Sequence, residues 1–425
     1  METPIVKDDE NSDGIDRRGF LSCMAWAGTG VLWTLSGGIL TSASLKSANA
    51  ATGAAKGDLS FIQISDSHIG FSKAPNKDVT ATLQQAVAKI NAQQTVPAFV
   101  LHTGDITHLS KPEEFDTADQ VIKSIKTSKV FYVPGEHDVI DGTGKQYLER
   151  YGKGTQGTGW YSFDQNGVHF IGLNNVLQTK AAGLGFLGDE QLEWLEKDVS
   201  GLSKSTPIVV FAHVPLWMVY PEWGWGTDDA ARALSYLKDF GSVTVLNGHI
   251  HQTVQKVEGN MTFHTALSTA FPQPAPGVGP APGPIPTVAG ERLRSMLGLT
   301  NVNFVVANSR LAVIDSSLDP SGAISKPGKD DQASAPGKKP AVAGANQINI
   351  SNFKFDPAEL TVPVGTEVTW INHDGEPHRV VSTEQKFKSN ALDSNDRFSY
   401  KFTAPGSYAY FCSIHPHMTG KVIVQ

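Results

Sequence analysis

Cysteine is nearly missing from this chain. Its 425 residues include two, Cys23 and Cys412, so no internal disulfide framework is available and stability has to come from packed cores. Charge is thin too. Lys, Arg, Asp and Glu make up 18% of the residues and balance at −7, and no basic stripe appears, which excludes nucleic acid as a partner. No internal repeat is present. What the chain does have is length and apolar content. With 40% hydrophobic residues it reads as a soluble globular protein, too long for one ordinary domain and long enough for two substantial cores.

The first fifty residues read as address rather than fold. Asp16-Arg17-Arg18-Gly19-Phe20-Leu21 is a twin-arginine export signature. An apolar run from Met24 to Leu40 follows, and Ala48-Asn49-Ala50 offers an A-x-A cleavage site before Ala51. Residues 1–50 are therefore expected to be a signal peptide, the export machinery a transient partner, and the periplasm the destination. The competing reading is an uncut anchor, because the run is nearly long enough to span a bilayer. Cleavage removes Cys23 and leaves Cys412 alone, so that thiol needs a role other than disulfide formation.

From residue 51 to about 318, strands alternate with helices. Leu59 to Ile64, Ala98 to Leu101, Val130 to Val133, Pro207 to Phe211 and Val243 to Leu246 read as strands. Asp78 to Gln94, Glu113 to Lys126, Asp189 to Val199 and Asp228 to Lys238 have helical spacing. Asn166-Gly167 between two apolar runs signals a hairpin. Later strands are expected near Thr253 to Val257, Met261 to Thr265, Val302 to Val306 and Leu311 to Ile314. The pattern predicts an α/β fold with two sheets packed between helices, an αββα sandwich. Phe271 to Gly290 holds seven prolines and cannot be helix or central strand; it reads as a long surface insertion, more simply a solvated loop than an active-site rim. Residues 319–346, rich in Pro, Gly, Lys, Asp and Ala, read as a flexible linker. Residues 347–425 change to short β-rich runs between turns, the pattern of a small all-β sandwich.

Chemistry gathers where strands end. Five polar clusters follow apolar runs in order: Asp66-Ser67-His68, Gly104-Asp105, Gly135-Glu136-His137-Asp138, Ala212-His213 and Asn247-Gly248-His249-Ile250-His251. Carboxylates and imidazoles delivered this way read as a two-metal hydrolase site. Asp105 is the expected bridge, because a carboxylate can face both ions. Asp66, His68 and His251 would take one ion; Glu136, His213 and His249 the other. The mixed oxygen and nitrogen donors suit iron, manganese or zinc. His137 is expected to protonate the leaving group, with Asp138 as its orienting partner. His102, His108 and His169 read as packed or surface histidines, with His108 able to reach the rim. Asn174 and Asn175 are explained by turn chemistry.

The set D-x-H, G-D, G-E-H-D, H and G-H-x-H, over residues 59–318, resembles the calcineurin-like metallophosphoesterases. The resemblance implies a catalytic assist from His137 and a phosphomonoester or phosphodiester substrate; His102 to His108 looks like the phosphodiester branch. One position departs from the family. Its asparagine is Glu136 here, which adds a negative charge to the second metal's ligands.

The lone thiol finds its role near the C-terminus. Phe411-Cys412-Ser413-Ile414-His415-Pro416-His417-Met418 spaces a thiolate, an imidazole and a thioether three residues apart, and His378 adds a second imidazole. Two histidines, one cysteine and a methionine make a blue-copper electron-transfer site. Residues 347–425 resemble the cupredoxins, with the tight C-x-x-H-x-x-M spacing of the amicyanin branch. The resemblance implies His378, Cys412, His415 and Met418 as ligands to one copper ion and a redox partner protein. Relatives often carry Asn or Thr where this chain has Arg379, so a hydrogen bond near the thiolate is expected to be missing. His373 and His417 read as exposed bystanders. Three functions are in play: an exported dinuclear phosphoesterase tethered to a copper domain, a copper electron carrier whose larger domain is a silent scaffold, or a copper domain that senses or stores copper and adjusts hydrolysis.

Overall fold

The computed structural model describes residues 31–36, 39–44, 58–127, 129–275, 278–305, 310–327, 331 and 344–425. The twin-arginine motif and the cleavage site lie outside them. Within the unit Met1–Ala55, β1 (Val31–Ser36) and β2 (Ile39–Ser44) pair as an antiparallel hairpin. No helix among the described residues is long and apolar enough to cross a membrane. Lys56–Gln425 forms a second unit that holds all the chemistry.

The strands of its first part are β3 (Leu59–Ile64), β4 (Val100–His102), β5 (Val130–Tyr132), β6 (Tyr161–Gln165), β7 (Val168–Gly172), β8 (Ile208–Phe211), β9 (Val243–Asn247), β10 (Gln255–Glu258), β11 (Met261–Thr265), β12 (Gly298–Val305) and β13 (Arg310–Ser317). They build a five-stranded sheet, β13-β12-β3-β4-β5, and a six-stranded sheet, β10-β11-β9-β8-β7-β6. Strand alternation explains why the two stack. Phe61 joins Phe99, Phe170 and Phe211 in the layer between sheets, while its neighbours Ile62 and Ile64 face outward against helices. Helices Val79–Asn91 and Pro112–Ile122 cover one outer face through Leu83, Val87, Ile90, Phe115 and Ala118. Helices Asp189–Ser200 and Ala230–Ser235 cover the other through Leu192, Leu195 and Ala233. This is the expected αββα sandwich. The helix read over Asp228 to Lys238 is shorter, and the helices Lys145–Tyr151 and Gly290–Met296 carry too few apolar residues for a periodic signal.

Strands β3, β4 and β5 run parallel to each other, and so do β7, β8, β9 and β11. Parallel strands put their C-terminal ends on one edge, where open α/β sheets hold their sites. The proline-rich stretch is not a plain solvated loop: Phe271 is fully buried and packs 4.8 Å from the His68 ring and 4.7 Å from the His251 ring. Its prolines prevent regular structure but not burial.

The C-terminal part holds β14 (Gln347–Ile350), β15 (Phe355–Asp356), β16 (Glu359–Val362), β17 (Glu367–Asn372), β18 (Val380–Ser382), β19 (Arg397–Lys401), β20 (Gly406–Cys412) and β21 (Thr419–Val424). Two four-stranded sheets, β15-β14-β17-β19 and β16-β21-β20-β18, close over Trp370, which lies between Phe387, Phe398 and Tyr410. The two parts are packed together. Ile140 and Ala281 of the larger part belong to the C-terminal core. Arg379 donates to the Ile140 carbonyl, Ala182 N–H to the Pro416 carbonyl at 2.8 Å, and Lys73 to Ser394 Oγ at 3.0 Å and the Gly375 carbonyl at 2.9 Å. Of the stretch between them, Ser325 N–H bonds the Ser295 carbonyl and Asp331 pairs with Arg292 at 2.5 Å; residues 332–343 lie outside the described residues.

Phe61→Ala should cost about 3–5 kcal/mol, the usual range for a fully buried aromatic. Denaturant unfolding followed by far-UV circular dichroism checks this against Val257→Ala, an exposed strand position expected to change stability by less than about 0.5 kcal/mol.

Candidate metal centres

Each ligand-type side chain of the first site leaves the C-terminal end of a strand or the loop just after it. The backbone turns sharply there: Asp66, His68, Asp105, His249 and His251 all have φ between 41° and 72°, a region non-glycine residues occupy only when their surroundings impose it. The loops lie too close for side chains in between. A Cβ on Gly135 would fall 2.0 Å from Asp105 Oδ1, and one on Gly248 would fall 2.1 Å from Ser65 Oγ.

The side chains converge as two triads. Asp66, His68 and His251 form one, and Glu136, His213 and His249 the other. In the first, His68 Nε2 is 3.2 Å from His251 Nε2, and His251 Nε2 is 3.4 Å from Asp66 Oδ1. In the second, His213 Nε2 is 3.0 Å from Glu136 Oε2, and His249 Nδ1 is 2.8 Å from Glu136 Oε1. Asp105 Oδ2 stands between them, 3.5 Å from His68 Nε2 and 3.2 Å from His213 Nε2. Its other oxygen accepts the His137 N–H at 3.0 Å, which fixes the carboxylate's rotation.

The protonation pattern suits cations. His213 Nδ1–H donates to the Thr103 carbonyl at 2.7 Å, and His251 Nδ1–H to the Phe271 carbonyl at 2.6 Å. Both rings therefore turn an Nε2 lone pair inward, as metal-ligating histidines do. His213 Nε2 and Glu136 Oε2, 3.0 Å apart, are buried with no hydrogen-bond partner outside this cluster among the described residues. Burial and the adjacent Glu136 push the Asp105 carboxyl well up, so a cation among these carboxylates would stabilise their charged form.

His137 lies beside this cluster, its ring 4.7 Å from that of His68. Its Nδ1–H donates to the His108 carbonyl at 2.9 Å, and burial pushes its pKa down to about 4. The expected partnership with Asp138 is not found. The Asp138 carboxylate instead accepts from the N–H groups of Gly135 at 3.0 Å, Ile106 at 3.1 Å and Thr107 at 2.9 Å. It turns away from the neighbouring ring because those three loop donors surround it, so it braces two ligand loops. Glu376, from the C-terminal part, occupies the position expected of the partner: its Oε2 is 3.6 Å from His137 Nε2 and 3.9 Å from His108 Nδ1. Sequence offers no signal for a contact between residues more than two hundred positions apart. His102 bonds Ser67 Oγ, His169 sits between Asp164 and Asp198, and Asn174 and Asn175 bond neighbouring loops; these are packing roles.

In the second site, Cys412 Sγ is 3.7 Å from His378 Nδ1 and 3.8 Å from His415 Nδ1, and the two Nδ1 atoms are 3.2 Å apart. Met418 is buried in the same core, its carbonyl accepting the Cys412 N–H at 3.0 Å. The hydrogen bonds to sulfur expected to be missing are present. The backbone N–H groups of Arg379 and His415 each lie 3.4 Å from Sγ, so the side chain at 379 is released to cross to Ile140. His378 has a carboxylate behind it, Asp374, at 2.9 Å from Nε2. His373 is exposed, but His417 is not: its ring packs at Gly224 of the larger part.

The two sites share a wall. A cavity of about 20 Å³ is lined by His68, Asp105, Glu136, His137 and His249 from one side and by Phe353, Glu376 and His415 from the other. The His415 ring centroid is 6.1 Å from that of His137.

Comparison with known proteins agrees with both halves. Residues 59–253 match the calcineurin-like phosphoesterases, and residues 342–425 the copper binding proteins of the plastocyanin/azurin family. The C-terminal part is similar to amicyanin-alpha of Methylorubrum extorquens, 39% identical over 90 residues covering 20% of this chain and 76% of the relative. The larger part is similar to a probable glycerophosphodiester phosphodiesterase GpdQ of Arcobacter nitrofigilis, 29% identical over 169 residues, 36% of this chain and 57% of the relative. It is also similar to serine/threonine-protein phosphatase CPPED1 of Danio rerio, 26% identical over 227 residues, 46% of this chain and 71% of the relative.

Asp374→Ala removes the group that holds His378 in its tautomer. Copper affinity should fall about 10–100-fold, as for other carboxylates behind ligating histidines; a competitive chelator titration followed at the blue absorption band measures it, with Asp393→Ala as the control that should leave affinity unchanged.

Proposed function

We propose that this chain, which belongs over residues 342–425 to the plastocyanin/azurin family of copper binding proteins and matches the calcineurin-like phosphoesterases over residues 59–253, is an exported phosphoric ester hydrolase whose dinuclear centre works beside a type 1 copper site. The observation that carries this reading is the position of Asp105 Oδ2 within 3.5 Å of a nitrogen from each triad. Asp66, His68 and His251 would hold one ion, Glu136, His213 and His249 the other, and Asp105 both. Donors of this mixed kind suit iron, manganese or zinc. His378, Cys412, His415 and Met418 would hold copper.

A bound pair of such ions supplies Lewis acidity and an activated water at neutral pH. The chain's own groups do the rest. Asp105 and Glu136 bring negative charge that keeps the ions close, and Asp138 holds the loops that carry them. His137 is neutral near pH 7, with Nδ1–H committed to a carbonyl, so Nε2 presents a lone pair to the cavity. A proton for the leaving alkoxide then passes through that nitrogen. Glu376, whose carboxyl is pushed up to about 8 by burial, faces it at 3.6 Å and is a proton source inside the site. The diesterase and phosphatase names of the relatives support an ester of either type as substrate. Export rests on the twin-arginine motif and the A-x-A site of the sequence.

One observation favours a second reading, an electron-transfer protein on a silent scaffold. The cavity over the triads, at about 20 Å³, has room for roughly one water molecule and none for an ester. The larger cleft nearby, about 210 Å³, is lined by Phe353, Glu376 and the proline-rich loop and reaches none of the triad residues.

Turnover of chromogenic phosphomonoesters and phosphodiesters separates the two. The hydrolase reading expects turnover by the metal-replete chain, reduced at least about 100-fold in Asp105→Ala with loss of about two ions. The scaffold reading expects an inert wild type and turnover only in Glu136→Asn. An Asp105→Ala variant that keeps its full ion content would contradict the assignment of Asp105 as the shared ligand, on which the hydrolase reading rests.

A further inference from the structure

Each metal pocket is walled in part by the other domain: Phe353, Glu376 and His415 line the cavity over Asp105, and the His137 ring lies 6.1 Å from that of His415. The copper ligand side chains are buried: His378 and Cys412 expose 0% of their surface, Met418 3% and His415 8%. In the docked arrangement an outside protein therefore has no ligand edge to touch. The one ligand with a second face is His415. Its Nδ1 points at Cys412 Sγ and His378. A nitrogen of the same ring also groups, within 4.8 Å, with donor atoms of Glu136 and His137. Glu136 is itself a member of the second triad. One imidazole thus separates the copper ligands from the dinuclear ligands, with no other side chain needed between them.

The docking that creates this arrangement is built, not incidental. Arg379 follows the copper ligand His378 and spends its guanidinium on the Ile140 carbonyl, two residues past Asp138. Pro416 follows His415 and receives the Ala182 N–H. Glu376, two residues before His378, is buried against His137 and His108. Each of these three cross-domain contacts is thus within two residues of a copper ligand, while Lys73 reaches Gly375 and Ser394 farther along the chain. The extra carboxylate at 136 adds negative charge at the shared wall, which favours the more highly charged state of an ion that can change its charge, such as iron.

We infer that the copper domain's electron partner is this chain's own dinuclear pocket, with His415 as the conduit. This rests on the proposed metal content of both sites but not on any hydrolytic activity. One electron leaves Cu(I), giving Cu(II), and one trivalent ion of the pocket becomes divalent. No bond forms or breaks, and charge balances between the two sites. The docked state is then the electron-exchanging state, and the water-sized cavity is the room left for a small ligand of the pocket.

The test uses the full chain with copper in the C-terminal site and either iron or zinc in the dinuclear site, metal content being verified first. Less than one electron per molecule is delivered in a rapid pulse to the oxidised protein, and the blue band is followed. The copper–iron protein should bleach and then recover in a first-order phase whose rate is independent of protein concentration. Ferric iron, seen by Mössbauer spectroscopy, should fall to match. The copper–zinc protein should bleach without recovery. In Lys73→Ala/Arg379→Ala, which leaves every ligand side chain in place, the first-order phase should be lost once X-ray scattering shows the domains apart. The inference is overturned by a copper–iron protein that does not recover, by recovery that scales with concentration, or by an unchanged rate in the separated variant. Failure of the metals to bind would show at the loading step and would sink the metal assignments instead.

Discussion

The Asp105 carboxylate is the fixed point of this molecule. One oxygen is held by the His137 N–H at 3.0 Å, and the other is left between two triads of donors. Asp105 and four residues of the surrounding loops, Asp66, His68, His249 and His251, adopt left-handed backbone, at an unfavourable cost of order 1–3 kcal/mol each. Glycines at 135 and 248 let the loops approach within distances that any Cβ would block. Two closely stacked sheets, with Phe61 and Phe170 between them, carry that load by holding all the strand ends on one edge. Burial leaves the gathered carboxylates and imidazoles with opposed preferences: Asp105 is pushed up, while the His213 pKa, lowered by burial, is carried well above its ordinary value by Asp105 and Glu136. Bound cations would relieve this frustration.

The C-terminal domain belongs to the same site. Its ligand loop and the loop before β18 form the roof over Asp105. Three of its residues, Phe353, Glu376 and His415, line the cavity. Two groups of metal-ligand-type side chains, one from each domain, are thereby placed one imidazole apart. An ester cannot enter while the roof is in place, so hydrolysis and electron exchange would belong to different arrangements of the same two domains.

The sheets, the strand-end carboxylates and imidazoles that converge, and the clustered Cys412, His415 and His378 are legible in sequence because each is a local pattern. A strand followed by Asp-x-His, or Cys, His and Met spaced three apart, carries its meaning within a few residues. Asp374 escaped notice because the motif around His378 does not announce which carboxylate turns back toward it. The place of Glu376, the packing of His417 at Gly224 and the span of Arg379 to Ile140 are not legible in sequence because they exist only after two domains meet; the burial of Phe271 follows from its packing on His68 and His251. Adjacency in sequence points Asp138 at His137, but three loop N–H groups, from Ile106, Thr107 and Gly135, claim its carboxylate. The thiolate's hydrogen bonds were expected to depend on the side chain at 379, but they come from the backbone, which any residue supplies.

Anomalous diffraction from crystals of the metal-replete chain, collected across the iron, manganese, zinc and copper edges, tests the central claim most directly. The account predicts two peaks flanking Asp105 Oδ2 and a copper peak against Cys412 Sγ, with the His415 ring between the two groups. A single peak or none beside Asp105, in protein whose bulk metal content is full, would contradict it.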